Sequence, residues 1–123
     1  GVNSSVDFST SRHTLATRRQ QLKAFIKAIS EGIWVAKTNK EIAFRVMQKY
    51  LKVEPRFLES THTNYTVRLH PEKPYPIREV LEAAIEDMSP SVPELKGKKS
   101  SDFADSSLVA ELDKEGFFEQ LKR

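Results

Sequence analysis

Three histidines, His13, His62 and His70, are the only imidazoles among the 123 residues, and no cysteine accompanies them. The absence of thiols excludes disulfides, thiolate zinc sites and cysteine nucleophiles together. No H-E-x-x-H pattern occurs, and no histidine has a second ligand at metal spacing, so no metal centre is expected. His62 falls on the apolar side of a predicted helix and reads as a satisfied core or boundary imidazole. Ser106 and Ser107 precede a helical pattern and read as caps rather than nucleophiles. Glu82 and Glu86, the nearest approach to an acidic pair, lie on the polar side of an amphipathic helix. A solvated face explains them better than general acid–base work. No catalytic residue and no cofactor is expected.

Thr10-Ser11-Arg12 is the remaining polar constellation. It follows a strand-like run and precedes a helical one, which is where α/β proteins place ligands. Helix-start amides and hydroxyls can hold an anion or carboxylate there. Capping alone accounts for the same residue types, so Thr10, Ser11 and Arg12 stand as candidate ligand-binding residues with capping as the rival reading. The basic clusters are Arg18-Arg19 and Lys96-Lys98-Lys99. The second lies in a loop without aromatic neighbours on which bases could stack. The net charge is only +3, from 20 basic and 17 acidic residues. Nucleic-acid binding is therefore not expected. Trp34 lies off the main apolar stripe and reads as an edge-of-core or interface anchor.

The elements that carry these residues are mostly helical. Val6-Asp7-Phe8 alternates like a strand and ends in a polar knot over 9–12. Ser11 or Thr10 caps a short helical turn through Ala16. A long helix follows from about Arg18 to Lys37, with Thr17-Arg18-Arg19-Gln20 at capping-box spacing. Its stripe is Leu22, Phe25, Ile26, Ile29, Ile33 and Ala36. A second box, Thr38-Asn39-Lys40-Glu41, opens a helix whose face is Ile42, Val46, Met47 and Tyr50. Pro55 starts a third, bearing Leu58, His62, Tyr65 and Leu69. The prolines at 71, 74 and 76 mark an ordered connector. Beyond it Ile77, Val80, Leu81, Ala84, Ile85 and Met88 form a full amphipathic stripe. A basic loop over 94–100 precedes a last helix from Asp105 to Leu112, and Gly116 sits where a left-handed terminator is favoured.

The reading is thus mainly α, with about five to six helices and one short N-terminal strand. Its length suits one domain, and 38% apolar against 30% charged residues leaves little apolar surface to spare. Only 4 glycines occur, which argues against a glycine-rich phosphate loop. No apolar run approaches the roughly 18 residues of a membrane span. The chain starts on Gly1 without a signal-peptide pattern and is expected to be a processed or excised piece.

The order of these elements, with "FIKAISEGI", "TNKEIAFRVMQKYL", "IREVLEAAIEDM" and "DFADSSLVAELDKEGFF", resembles the C-terminal portion of ABC-transporter substrate-binding proteins of the nitrate/sulfonate/taurine type. That superfamily also holds the thiamine-pyrimidine precursor synthases. The resemblance spans about Ser5 to Phe118 and consists of helix patterns rather than a catalytic signature. It implies a type II periplasmic-binding fold, in which two α/β lobes close on a small molecule that is passed to a membrane permease. Residues 1–10 would be the strand returning at the hinge, and residues 11–123 a helical layer. The long helix and the Ile77–Met88 helix would each cover part of a sheet. The location implied is periplasmic, or extracellular and membrane-associated. The rival readings are a precursor synthase on the same scaffold and a free-standing helical interaction module. With its sheet absent, the chain is expected to pair with a second copy through the orphaned faces.

Overall fold

The computed structural model describes residues 7–123. Seven α-helices follow one another: α1 (Arg12–Thr17), α2 (Arg19–Thr38), α3 (Lys40–Tyr50), α4 (Leu58–Thr61), α5 (Arg78–Met88), α6 (Ser107–Lys114) and α7 (Phe117–Leu121). No strand occurs among the described residues. Asp7 to Thr10 are irregular and exposed, while Val6, the first residue of the expected strand, lies outside the described residues. Phe8 instead sets its ring edge-on to Phe25 of α2, with centroids 5.0 Å apart.

Helix starts follow the capping logic with shifts of one residue. Ser11 caps α1, its Oγ accepting from the Thr14 amide at 3.0 Å. The box predicted at Thr17 does not form, because the Thr17 hydroxyl donates back to the His13 carbonyl at 2.8 Å. Arg18 is the single non-helical residue between α1 and α2, and no side chain caps the start of α2. Thr38 is engaged in the same way, donating to the Trp34 carbonyl at 2.7 Å. The cap of α3 therefore falls to Asn39, whose Oδ1 accepts from the Ile42 amide at 3.1 Å. At α6 the capping oxygen belongs to Asp105, which takes the Ser107 amide at 2.8 Å; Ser106 makes no side-chain cap. A threonine in the last turn of a preceding helix has a carbonyl four residues back within reach, and that bond outcompetes the cap.

Two glycine-like positions terminate helices. Gly116, with φ 77°, turns the chain between α6 and α7 as expected. Lys52 adopts φ 55° after α3, and the Val53 amide returns to the Met47 carbonyl at 3.2 Å. Nothing in the residue type announces a left-handed lysine.

The third helical segment winds unevenly. A 3₁₀ turn over Pro55–Phe57 runs into α4 and then into a π-helical stretch, His62–Val67. Along this segment Leu58, His62 and Thr66, spaced four apart, are buried. The expected face included Tyr65 and Leu69, which are instead 63% and 56% exposed. His62 does satisfy itself as expected: its Nε2 lies 2.8 Å from the Ala36 carbonyl, and its ring meets Phe44 edge-on.

The tightest core is Val109, Leu112, Phe117 and Phe118, with Ile26 and Leu121 packed against it. It sits where α6 and α7 cross the first half of α2. Facing them, Arg19 of α2 donates to Ser107 Oγ at 3.0 Å and to the Glu111 carboxylate. Lys27 of the same face holds its ammonium 5.4 Å from the centre of the Phe117 ring. At about 100° per residue, the packed face (Arg19, Lys23, Ile26, Lys27, Ser30) stands roughly 90° around α2 from the apolar stripe. Of that stripe, Ile26 is the residue packed against this cluster. Leu22, Ile29, Ile33 and Ala36 are half-buried and Phe25 is 44% exposed. On α3 the expected face also splits: Met47 is buried together with Ala43, which lay outside that face, whereas Ile42, Val46 and Tyr50 stay exposed. No residue of α5 is buried.

Candidate functional site

Thr10, Ser11 and Arg12 are all exposed. Ser11 Oγ caps α1 and also donates to Thr14 Oγ1 at 2.9 Å. Arg12 extends its guanidinium to the Asp102 carbonyl at 2.9 Å and so fastens α1 to a turn 90 residues away. Two of the three candidate residues thus have structural duties here, and Thr10 lies one residue before the cap.

The charged groups that do converge form a seam along one side of α2. Lys23 bridges the Glu111 and Glu115 carboxylates of the α6 end. The hydrogen bond to Glu115 holds the Lys23 ammonium above its ordinary pKa, and the bond from Arg19 holds Glu111 below its own. Next to this lies a triad that clamps the proline connector. Asp113 of α6 accepts from Lys73 Nζ at 2.7 Å and from the Tyr75 hydroxyl at 3.0 Å. The Lys73 bond pulls the Asp113 carboxyl down and raises Lys73 in return. Desolvation, followed by the bond to Asp113, pushes the Tyr75 phenol up. Lys37 of α2 adds a bond to the His70 carbonyl at 2.7 Å, and Lys122 pairs with Glu72 at 2.9 Å. Four separate contacts therefore immobilise a segment that has no regular structure of its own, as the prolines predict.

These groups are already paired with one another, and none of them faces an enclosed space. Two open depressions lie among the described residues. One of about 180 Å³ is lined by Gln20, Lys23, Ala24, Lys27 and Glu115. The other, about 430 Å³, is lined by Arg78, Glu82, Lys99, Ser100 and Ser101. Neither has the apolar walls that bury most of a small ligand. Glu82 is held by Arg78 at 2.6 Å, which removes it from any pairing with Glu86. Among the described residues no group of three His, Asp or Glu side chains is placed to hold a metal ion. In the same residues no helix is long and apolar enough to cross a membrane.

Three features escaped sequence reasoning. Ser30 is 4% exposed and its Oγ finds no hydrogen-bond partner among the described residues; a serine in an amphipathic pattern gives no sign of facing the core. The Lys73–Tyr75–Asp113 triad joins residues about forty positions apart, beyond the reach of spacing arguments. The π stretch is the third, and it follows from packing rather than propensity. Compared with protein families, with characterised proteins and with solved structures, the chain finds no match.

Proposed function

We propose that the chain is the C-terminal helical part of a substrate-binding protein of the nitrate/sulfonate/taurine type. Its parent would capture a small molecule outside the cytoplasm, in the periplasm or in an extracellular, membrane-associated position, and pass it to an ABC permease. Two kinds of support exist. One is the resemblance carried by the helix patterns. The other, which carries the reading, is the α2 stripe: Leu22, Phe25, Ile29 and Ile33 stand aside from the packed face and remain partly open. A helix whose flank is engaged by charged and ring contacts and whose apolar stripe is only partly covered is suited to lie on a further layer. A β-sheet is the layer the resemblance supplies. Capture requires no bond chemistry, so the paired, structural roles of the charged groups fit it. Thr10, Ser11 and Arg12 would then lie near the hinge, with Arg12 holding the helical layer in place.

Calorimetric titration with nitrate, taurine, alkanesulfonates and pyrimidines tests this on two proteins, the 123-residue chain and the longer gene product that contains it. The expected result is sub-micromolar binding of one ligand class by the longer protein and none by the chain alone. Tight binding by the chain alone, or a longer protein lacking two lobes, overturns the proposal.

A further inference from the structure

The outward faces of α3 and α5 are complementary to each other, yet each is open within one chain. On α3, Ile42, Val46 and Tyr50 recur every four residues and are 39%, 45% and 67% exposed. Arg45 and Lys49 run alongside this stripe, and over 40–50 three cations stand against the single carboxylate of Glu41. On α5, Ile77 and Met88 are about half exposed, at 46% and 51%, and Val80, Leu81 and Ile85 are half-buried. Here the balance is reversed. Arg78 alone faces Glu79, Glu82, Glu86 and Asp87, a net charge of −3. Asp87 borders the apolar stripe on one side and Glu82 on the other, by the helical angle of 100° per residue. Within the chain, α3 packs on α2 and on the π turn, and the principal neighbour of α5 is the 3₁₀ turn Ser100–Asp102.

Total area supports a missing neighbour. The accessible surface is 9316 Å². A compact monomer of 14.1 kDa exposes about 6,700 Å². The six residues outside the description add no more than about 1,000 Å² even if wholly exposed. The surplus left over is about twice the ~800 Å² that each partner contributes to a standard interface.

We infer that two copies of this chain pair with twofold symmetry, α3 of each copy lying on α5 of the other. Such a pairing makes the same basic-on-acidic, apolar-on-apolar contact twice and closes after two chains. It uses α3 and α5 and leaves the α2 stripe free, and an α5 engaged in this way does not cover a sheet as the resemblance implies. The inference does not rest on the transport reading, which is tested by ligand binding instead.

Sedimentation equilibrium of the 123-residue chain at micromolar concentration, with circular dichroism as the folding control, provides the test. The wild type is expected at twice the 14.1 kDa chain mass, with a dissociation constant that rises with salt. The variant R45E/K49E is expected to weaken pairing by about tenfold or more, and so is E82K/D87K, which reverses the two carboxylates bordering the α5 stripe. An equimolar mixture of these two variants should pair again as a heterodimer, with one contact charge-reversed and the other wild type, and the quadruple variant should pair again with itself. A folded wild-type monomer overturns the inference. So does a dimer indifferent to both reversals, or a quadruple variant no better than the doubles.

Discussion

At the residue scale, backbone conformation and burial decide what each side chain contributes. Gly32 and Gly116 make the point with opposite signs. A methyl group added at either would meet nothing within 4 Å, so only the backbone distinguishes them. Gly116 has φ 77°, and Gly116→Ala is predicted to cost about 1–2 kcal/mol. Gly32 lies inside α2 with ordinary helical geometry, and Gly32→Ala should stabilise by about 0.5–1 kcal/mol. Lys52→Gly should also stabilise, since it relieves φ 55° in a residue with a Cβ. Thermal melts of the three variants check the signs. Leu112 is fully buried, and Leu112→Ala should cost about 2–5 kcal/mol, a large share of the roughly 5–15 kcal/mol of an ordinary domain. Gly116 was legible as a terminator because glycine is the cheap residue at positive φ. Lys52 was not, because its conformation comes from how the chain leaves α3 and not from the residue type.

At the scale of elements, the periodicity located α2, α3 and α5 to within a residue or two but misjudged which faces they bury. The stripe on α2 was legible as Leu22, Phe25, Ile29 and Ile33; that α6 and α7 would pack beside it, on Arg19, Lys23 and Ile26, was not. Long basic side chains can line a packed face when carboxylates arrive from another helix, and those carboxylates are some ninety positions away in the chain. The candidate residues fare similarly. Ser11 was legible as a cap from its place before a helix, whereas the Arg12 contact to Asp102 is long-range. The seam makes a pH prediction. Asp113, Glu111 and Glu72 have folded pKa values below their ordinary ones, owing to bonds from Lys73, Arg19 and Lys122 respectively. Their stabilisation is present above the usual carboxylate range and is lost as pH falls through the depressed folded values. Lys73 and Lys23 are raised, so their share is complete below the ordinary lysine pKa and is lost as pH rises through the folded value. Urea melts against pH should therefore decline at both ends, and Asp113→Asn should blunt the acid limb. Because the pairs are partly exposed, the effect is modest and falls with salt.

At the scale of the whole molecule, one flank of α2 is closed by ion pairs to α6, while its apolar stripe remains half-buried, with Phe25 44% exposed. The small core between α2, α6 and α7 fixes the fold, and the open apolar stripes are what remains to be used. Mainly helical architecture was legible because the period of 3.6 recurs in every long segment. The extent of the open faces was not, since it depends on which long-range contacts form. Dye binding measures those faces directly. With 8-anilinonaphthalene-1-sulfonate and the monomeric R45E/K49E variant, enhanced and saturable fluorescence is predicted while circular dichroism remains helical. Phe25→Ser/Ile29→Ser in that background should remove much of the signal without loss of helix. A folded monomer that binds no dye would contradict the claim that the α2 stripe is left partly open.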